Sequence, residues 1–564
     1  MLHSACFVTY VTQIARLVWY ICRNTMFMLR FILVVLISAL GITRSYTQDF
    51  PYELSIRLSS IPDLPGLHSY AFGQHDGNWI LIGGSKDGLH SHQPSAAFPV
   101  SLSNDRIYLV NPETKQVVWR SVTELSTGLR EQLQSTNMNF YQVGDTLYII
   151  GGYGFSTSSN GHITYPYLSS INLAGLAQAI AQNQPITSYF QQITGPSFAV
   201  TGGQLGYLQQ KLYLIGGHRF DGRYNRNDGP SFTQAYTNAV RIFSVQSSPS
   251  LSAQLHSVMT DSLHLHRRDY NLLPQFFADG SFGYTISSGV FQLQANLPFL
   301  YPVHVFADSI LPVPGFNQYL SHYHGAKVCL HDSAQNAMHN LFFGGMSQYY
   351  MLGSQLIQDN GVPFVRTISR LSRYADGNFA EFALPDEMPG FHGASSEFIP
   401  NLKLPYLKEK VLRLEHLPQQ DSVLLGHIVG GIFSPSLNPF NNNNTASTQA
   451  DASVFEVWLK PSDPLSNEKL PSANPYTLSA SPNPFRDEVT LAFTLPKSMH
   501  VHYFVSDLRG SVLHSQVVGR RSAGSHTESV RLGKWHSTGG LILTLVLDQA
   551  YYVPVKLIPA SGLE

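Results

Sequence analysis

The residues with most chemistry to offer stand in short polar clusters. His-Arg-Phe-Asp-Gly-Arg-Tyr at 218–224 sets Arg219, Asp221, Arg223 and Tyr224 within six positions. Leu-His-Arg-Arg-Asp-Tyr-Asn at 265–271 adds Arg268 and Asp269, and His-Tyr-His-Gly-Ala at 322–326 adds His324. Guanidinium groups beside carboxylates make directional, charge-assisted hydrogen bonds. Brought together, these residues would form a polar cup for a hydroxyl- or carboxylate-bearing ligand. Three more segments share their character: LHSYAFGQHDGNW (67–79), LQSTNMNFYQ (133–142) and FHGASSEF (391–398). The same residue types also serve in buried structural networks. Arg268 stands close to an expected strand start, whereas Arg223 lies in GRYNRNDGP, whose Gly, Asn and Pro mark an exposed loop.

Metal and covalent chemistry are poorly signalled. Four His-x-His pairs occur, His90/His92, His264/His266, His322/His324 and His500/His502, and on a strand both members would face the same way. With 23 histidines in the chain such pairs arise without a metal, so no metal and no cofactor is expected. There is no Gly-rich phosphate loop, no Cys-x-x-Cys pair and no G-x-S-x-G elbow. No catalytic residue is assigned on sequence grounds.

The elements that must position these clusters are repeated. A short apolar run ending in Gly-Gly appears as WILIGG (79–84), LYIIGG (147–152), LYLIGG (212–217), LFFGG (341–345) and LLGHIVGG (424–431). Each run reads as a buried strand bounded by turn residues, and the glycines end it where φ turns positive or no side chain fits. Gly83, Gly151 and Gly216 are spaced by 68 and 65 residues, and Gly344 follows after 128, so one unit is hidden. GSFGYTISSGVFQ (280–292), with Ser-Gly in place of the doublet, supplies it. Six units result, and a repeat of this kind sets the architecture.

An apolar strand, a Gly pair and a second strand bearing an aromatic pair, as in RIYLVNPETKQVVW (106–119) and ASVFEVWL (452–459), resemble kelch repeats. The resemblance covers residues 49–460. It implies an all-β fold, a kelch-type β-propeller of six blades around a channel. The strand near Tyr52–Leu58 is expected to close the ring beside Phe455–Leu459. Kelch-type propellers include copper radical oxidases and sugar mutarotases. The oxidase would need a Tyr joined to a Cys. Cys329 follows His322, Tyr323 and His324, but its setting GAKVCLHD reads as a buried strand. A mutarotase needs only an acid, a base and a pocket. It stands as the alternative to the favoured reading, a binding module for a glycan or protein ligand.

The two ends of the chain bear on location. Residues 461–476 are rich in Pro, Ser and Asn and read as a linker. Residues 477–564 hold alternating strands that predict an immunoglobulin-like β-sandwich. Pro482-Asn483-Pro484-Phe485, then Asp507-Leu508-Arg509-Gly510, then Gly539-Gly540 before a β run resemble the C-terminal sorting domain of the Bacteroidetes type IX secretion system. That resemblance implies the secretion machinery as a partner, with Pro482, Asn483, Pro484, Asp507, Gly510 and Gly540 carrying the motif. Residues 1–48 read as a leader, with a start at Met26 or Met28. Met28-Leu29-Arg30 precedes an apolar run at 31–42 that is too short to span a membrane and fits a secretory signal. A secreted or outer-surface protein with no stable membrane span is expected. The charge balance of 35 basic and 36 acidic residues, net −1, gives no electrostatic case for nucleic acid. Cys6 and Cys22 fall in the leader, so Cys329 would remain alone and the fold must be held by packing.

Overall fold

In the computed structural model the described residues are 50–225, 231–353, 355–418, 421–461, 476, 478–507, 512–532, 540–548 and 551–560. The expected leader, nearly all of the expected linker, and Gly510 lie outside them. The molecule is all-β. No helix among the described residues is long and apolar enough to cross a membrane.

Six sheets of four or five strands lie among the described residues of 52–461, with smaller two- and three-stranded sheets between them. The first runs Ala71–His75, Asn78–Ile82, Arg106–Asn111, Gln116–Ser121, each strand antiparallel to the last. The second, third and fourth repeat this order from Asn139–Val143, Gln204–Leu208 and Asn271–Phe276. The fifth starts at Lys327–Asp332 and carries an extra strand, Leu412–Arg413, parallel to it. The sixth combines Glu397–Pro400, Val423–Val429 and Val454–Pro461 with Tyr52–Ser59. Tyr52 pairs with Pro461, Leu54 with Leu459 and Leu58 with Phe455, so both ends of the region clasp one sheet, as expected. Closing the ring in this way leaves no long open edge between the first and last sheets.

Neighbouring sheets pack face to face. Ile82, Ile107, Leu147 and Ile149 form a core between the first and second. Ile150, Leu205 and Leu214 join the second to the third, and Ile215, Leu272 and Ile286 the third to the fourth. Leu273, Met338 and Leu371 lie between the fourth and fifth, and Trp79, Ile399 and Val429 between the first and sixth. Each such side chain contributes about 1.5–3 kcal/mol, which explains the apolar runs in the second strands, as in WILI, LYII and LYLI.

The Gly doublets hold the sheets in register around the ring. The second residue of each donates its N–H to the loop leading into the next sheet: Gly84 to Ser135 O, Gly152 to Val200 O, Gly217 to Arg267 O, Gly289 to His322 O, Gly345 to His392 O and Gly431 to Leu67 O, all at 2.8–3.1 Å. The backbone must therefore approach its neighbour with φ positive at both positions. At Gly151, φ is 67° and a Cβ would lie 1.8 Å from Val200 O. The substitute unit does the same with one non-glycine, Ser288, at φ 56°. Its hydroxyl donates to Phe299 O at 2.6 Å.

The C-terminal part forms two sheets. One contains Leu478–Ser481, Glu488–Leu495 and Gly524–Arg531; the other contains Val512–Arg521, Met499–Asp507, Leu541–Leu547 and Tyr551–Leu557. Val489, Leu491, Phe493 and Leu495 alternate inward with the strand period of two and meet Val501, Tyr503, Leu543 and Leu545. Asn483 of the expected sorting motif donates to Lys556 O at 2.7 Å and accepts from Ile558 N at 2.8 Å. Phe485, fully buried, exchanges backbone bonds with Ile558 and Ala560. The motif thus ties the start of this part to its last strand. Among the described residues, an apolar contact of Leu263 with Phe504 and Val546 joins these sheets to the ring.

Candidate functional site

The inner strands of all six sheets begin at one end of the central channel. Just before each, one residue sits in a second ring of backbone hydrogen bonds. Asn137 N donates to Ser69 O (3.0 Å), Gly202 to Asn137 (3.2 Å), Asp269 to Gly202 (2.7 Å), His324 to Asp269 (2.8 Å), Ser395 to His324 (2.9 Å) and Ser69 to Ser395 (3.1 Å). The ring closes on itself with one residue from each sheet. Of the side chains at these positions and two residues further on, Ser69, Asn137, Asp269, His324, Asn139, Gln204 and Glu397 line the cavity. Five of the six polar segments singled out from sequence contain or border this ring: 67–79, 133–142, 265–271, 322–326 and 391–398. The remaining ring position, Gly202, belongs to none of them, because a glycine offers no chemical signal.

Below the ring lies a cavity of about 220 Å³, the volume of about seven waters. Asp269, His324 and Glu397 line its upper part, and Phe72, Phe140 and Phe398 its wall. His324 is the best-oriented polar group there. Gln204 Oε1 accepts from Leu272 N at 3.3 Å, so its Nε2 faces His324 Nδ1, 3.1 Å away, and donates to it. The proton of the imidazole then sits on Nε2, which donates to Glu397 Oε1 at 2.9 Å. A carboxylate and an imidazole in direct contact, with the tautomer fixed by a third group, can pass a proton or grip a hydroxyl.

The other end of the bore is closed by a segment that no other sheet possesses. In the first three sheets the first two strands join by tight turns, but in the sixth the chain runs from Asn401 to Ser422 before returning. This insertion brings Tyr406, Glu409, Lys410 and Leu412 to the cavity. Glu409 and Lys410 both adopt positive φ, 61° and 58°. Tyr284 donates its hydroxyl to Glu409 Oε2 at 2.9 Å. Burial pushes the Glu409 carboxyl up to about 8, against the pull of Lys410. Burial likewise brings the Lys410 ammonium down to about 8, against Glu409. Lys410 retains an exposed surface, but it faces the bore, where Nζ lies 5.6 Å from the Phe72 ring centroid.

The residues expected to bind ligand are distributed between two places. Asp269 and His324 line the cavity, and Arg268 pairs with Asp269 beside it while lying 5.1 Å from the Phe291 ring. Burial opposes the charge of Arg268, but Asp269, Tyr236 and Tyr323 outweigh it and raise its pKa. Arg219, Asp221 and Arg223 do not line the cavity. They belong to the hairpin of His218–Gly222 and Phe232–Tyr236 and its exit. Arg219 bonds Asp221 at 2.6 Å, Asp221 accepts from Thr164 N at 3.0 Å, and Arg223 bonds His162 (3.2 Å) and Ser95 O (3.2 Å). Tyr224 packs on His90 with ring centroids 4.6 Å apart. These four residues stitch loops of the first three sheets together.

The remaining sequence candidates are structural. Arg267 is fully buried, donates to His264 O, Ser288 O and Tyr301 O, and lies 4.1 Å from the Phe299 ring. His322 is buried between Gln318 O and Gln348 N, at 2.9 and 3.0 Å. Cys329 lines the bore from the inner strand of the fifth sheet, and burial pushes its thiol up to about 12, which leaves it protonated. Among the described residues no group of three or more His, Cys, Asp or Glu could hold a metal ion. Sequence reasoning did not single out Glu397, Lys327 or the Glu409–Lys410 segment. Glu397 stands inside the polar segment 391–398, whereas the other three carry no repeat signal.

No family model matches the chain, and no curated protein matches it. Among solved structures it is similar to a novel fungal alcohol oxidase with catalytic diversity among the AA5 family, in complex with copper, with a TM-score of 0.35 and 9% identity over 91% of this chain and 100% of that one. It is also similar to YjhT, with a TM-score of 0.37 and 11% identity over 71% of this chain and 96% of that one.

Proposed function

We infer that this chain is an exported binding protein: a six-bladed kelch-type propeller that takes a small hydroxyl-bearing ligand in its channel and carries a C-terminal immunoglobulin-like sorting sandwich. The observation that carries the binding reading is the cavity between the backbone ring and the inserted segment, with His324 and Glu397 in contact on its wall. The six doublet bonds and the six-membered ring support the blade count. The Pro-Asn-Pro-Phe element, locked to the final strand through Asn483 and Phe485, supports the sorting assignment.

The same contact favours a second reading, a sugar mutarotase, since a carboxylate–imidazole couple supplies both acid and base. One experiment addresses both. Ligand-observed NMR of the full chain against a monosaccharide panel should detect binding that Glu397→Gln abolishes without lowering the melting temperature by more than a few degrees. Faster exchange between anomers in the same spectra would select the enzyme. If no sugar binds, or if Glu397→Gln binds like the wild type, the site is elsewhere.

A further inference from the structure

The two ends of the cavity are crossed by contacts of different kinds. Above the backbone ring, loops of opposite sheets meet. His90 lies between the second and third strands of the first sheet, Tyr224 between those of the third, and Phe440 between those of the sixth. The rings of Tyr224 and Phe440 have centroids 6.3 Å apart, and His90 packs on both, at 4.6 and 5.6 Å. The third and sixth sheets stand opposite one another in a ring of six, so these aromatic contacts cross the channel axis. Backbone groups tie the same loops together: Arg223 donates to Ser95 O at 3.2 Å, and Leu89 N donates to Thr448 Oγ1 at 2.8 Å.

The lower end is spanned by one hairpin. Within the insertion Tyr406 pairs with Leu412, Leu407 N donates to Val411 O at 2.7 Å, and Arg413 N donates to Pro405 O at 3.0 Å. Residues 405–413 thus fold back on themselves, with Lys408, Glu409 and Lys410 at the tip. The base is fixed, since Val411 and Leu412 are buried and Leu412 pairs in parallel with Leu330 of the fifth sheet. The tip reaches past the fifth sheet to the fourth. There Tyr284 donates its hydroxyl to Glu409 Oε2 at 2.9 Å, and Lys408 Nζ lies 4.9 Å from the Phe282 ring centroid. Both are side-chain contacts. Among the described residues no backbone hydrogen bond ties 408–410 to another sheet. Of the described residues that line the cavity, Lys410 alone is exposed, so the way from cavity to water passes beside this tip. Segments held by few side-chain contacts at the edge of a site are those that open first. We propose that the channel has one mouth: a small ligand enters and leaves at the lower end, and the hairpin 405–413 is its gate. The gate hinges at the Leu412 pairing and is latched by the hydrogen bond from Tyr284 to Glu409. This rests on the reading of the channel as a ligand site, but its test needs no ligand.

Thiol labelling of the full chain tests the gate. Ser69 lines the cavity at the backbone ring, so Ser69→Cys is the reporter, read by peptide mass mapping apart from Cys6, Cys22 and Cys329. With methyl methanethiosulfonate as the reagent, adding Glu409→Ala should speed labelling at position 69 by about tenfold, the release of one hydrogen bond. Adding Glu409→Gln instead, which still accepts from Tyr284, should keep the slow rate. Adding Phe440→Ala in the upper loops should leave it unchanged. An unchanged rate with Glu409→Ala overturns the proposal, and so does an absence of labelling in every variant. An equal gain with Phe440→Ala overturns it too. Amide exchange on the wild-type chain decides even if a variant fails to fold. Leu407 and Val411 should exchange at least about tenfold faster than Leu89 and Phe364, whose amides are bonded across the upper loops. Equal rates or the reverse order overturn the proposal. Failure here leaves the binding reading to the monosaccharide panel, and failure of that panel leaves the gate standing.

Discussion

The two ends of the channel are built on opposite principles. The upper end is made by repetition: six sheets each present one backbone position, and six hydrogen bonds close them into a ring. The lower end is made once, by an insertion between the first two strands of the sixth sheet. At the repeated end the backbone is fixed, and five of the six ring positions, Ser69, Asn137, Gly202, Asp269 and Ser395, hold positive φ, which leaves His324 as the ring position with an ordinary φ. At the unique end, two consecutive non-glycine residues hold positive φ, and the part-buried Glu409 carboxyl stands beside the Lys410 ammonium, each shifted towards its neutral form. Positive φ occurs at both ends, so what sets the unique end apart is the pair of opposed pKa shifts, a feature common where a site is shaped. Repetition provides the frame, and the departure from it provides the chemistry.

That contrast predicts a graded set of effects. The largest falls on the doublets. Gly151→Ala would force a Cβ to within 1.8 Å of Val200 O at φ 67°, so a loss of more than about 4 kcal/mol is expected, read as failure to yield folded protein. Gly144→Ala, at φ 56° with nothing within 4 Å, should cost only about 1–2 kcal/mol in denaturant unfolding. Equal losses at the two sites would remove the case that close backbone approach holds the ring.

Next come the arginines that look alike in sequence. Arg267→Met removes a fully buried cation that satisfies three carbonyls and should cost about 3–5 kcal/mol. Arg223→Ala removes loop contacts near the surface and should cost less than about 1 kcal/mol. A reversed order would mean that the hairpin, rather than the inter-sheet seam, carries the load.

The remaining effect is a pH dependence at the unique end. Burial raises the Glu409 carboxyl in the folded chain above its unfolded value, so its favourable contribution is complete below about pH 4.5 and is lost as pH rises through about 8. The Lys410 ammonium, lowered to about 8, contributes stability above its unfolded value that is lost as pH falls through about 8. Comparing wild type with Glu409→Gln leaves Lys410 in both. Between pH 5 and 8 the wild type should lose stability relative to the variant, by at most about 1.4 kcal/mol per pH unit. Parallel curves would show that Glu409 meets water freely and that the insertion does not seal the bore.

What sequence revealed follows the same division. The doublets announce themselves because each needs positive φ twice, and even Ser288-Gly289 could be placed by spacing. The clasp of Tyr52–Ser59 on Val454–Pro461 follows from the economy of closing a ring with both ends. Asp269 and His324 stand in polar segments that precede inner strands, and both line the cavity. Arg219, Asp221 and Arg223 were drawn into the same cup because a polar loop next to a doublet resembles one facing the channel. The hairpin that carries them was not visible, and it turns them towards Thr164, His162 and Ser95 instead. Lys327, Glu409 and Lys410 were illegible for a different reason. Their placement depends on where an unrepeated segment lands, and no period encodes that.

The central claim is that the channel below the ring is a ligand site with His324 at its rim. Long-range ¹⁵N–¹H spectra of histidine-labelled protein, with the His324 signal assigned by its loss in His324→Asn, test it most directly. The geometry predicts a proton on Nε2, bonded to Glu397, and a bare, accepting Nδ1 facing Gln204. Both resonances should move when a channel ligand is added. A proton on Nδ1 in the free protein, or resonances that stay fixed while a ligand binds, would contradict the account.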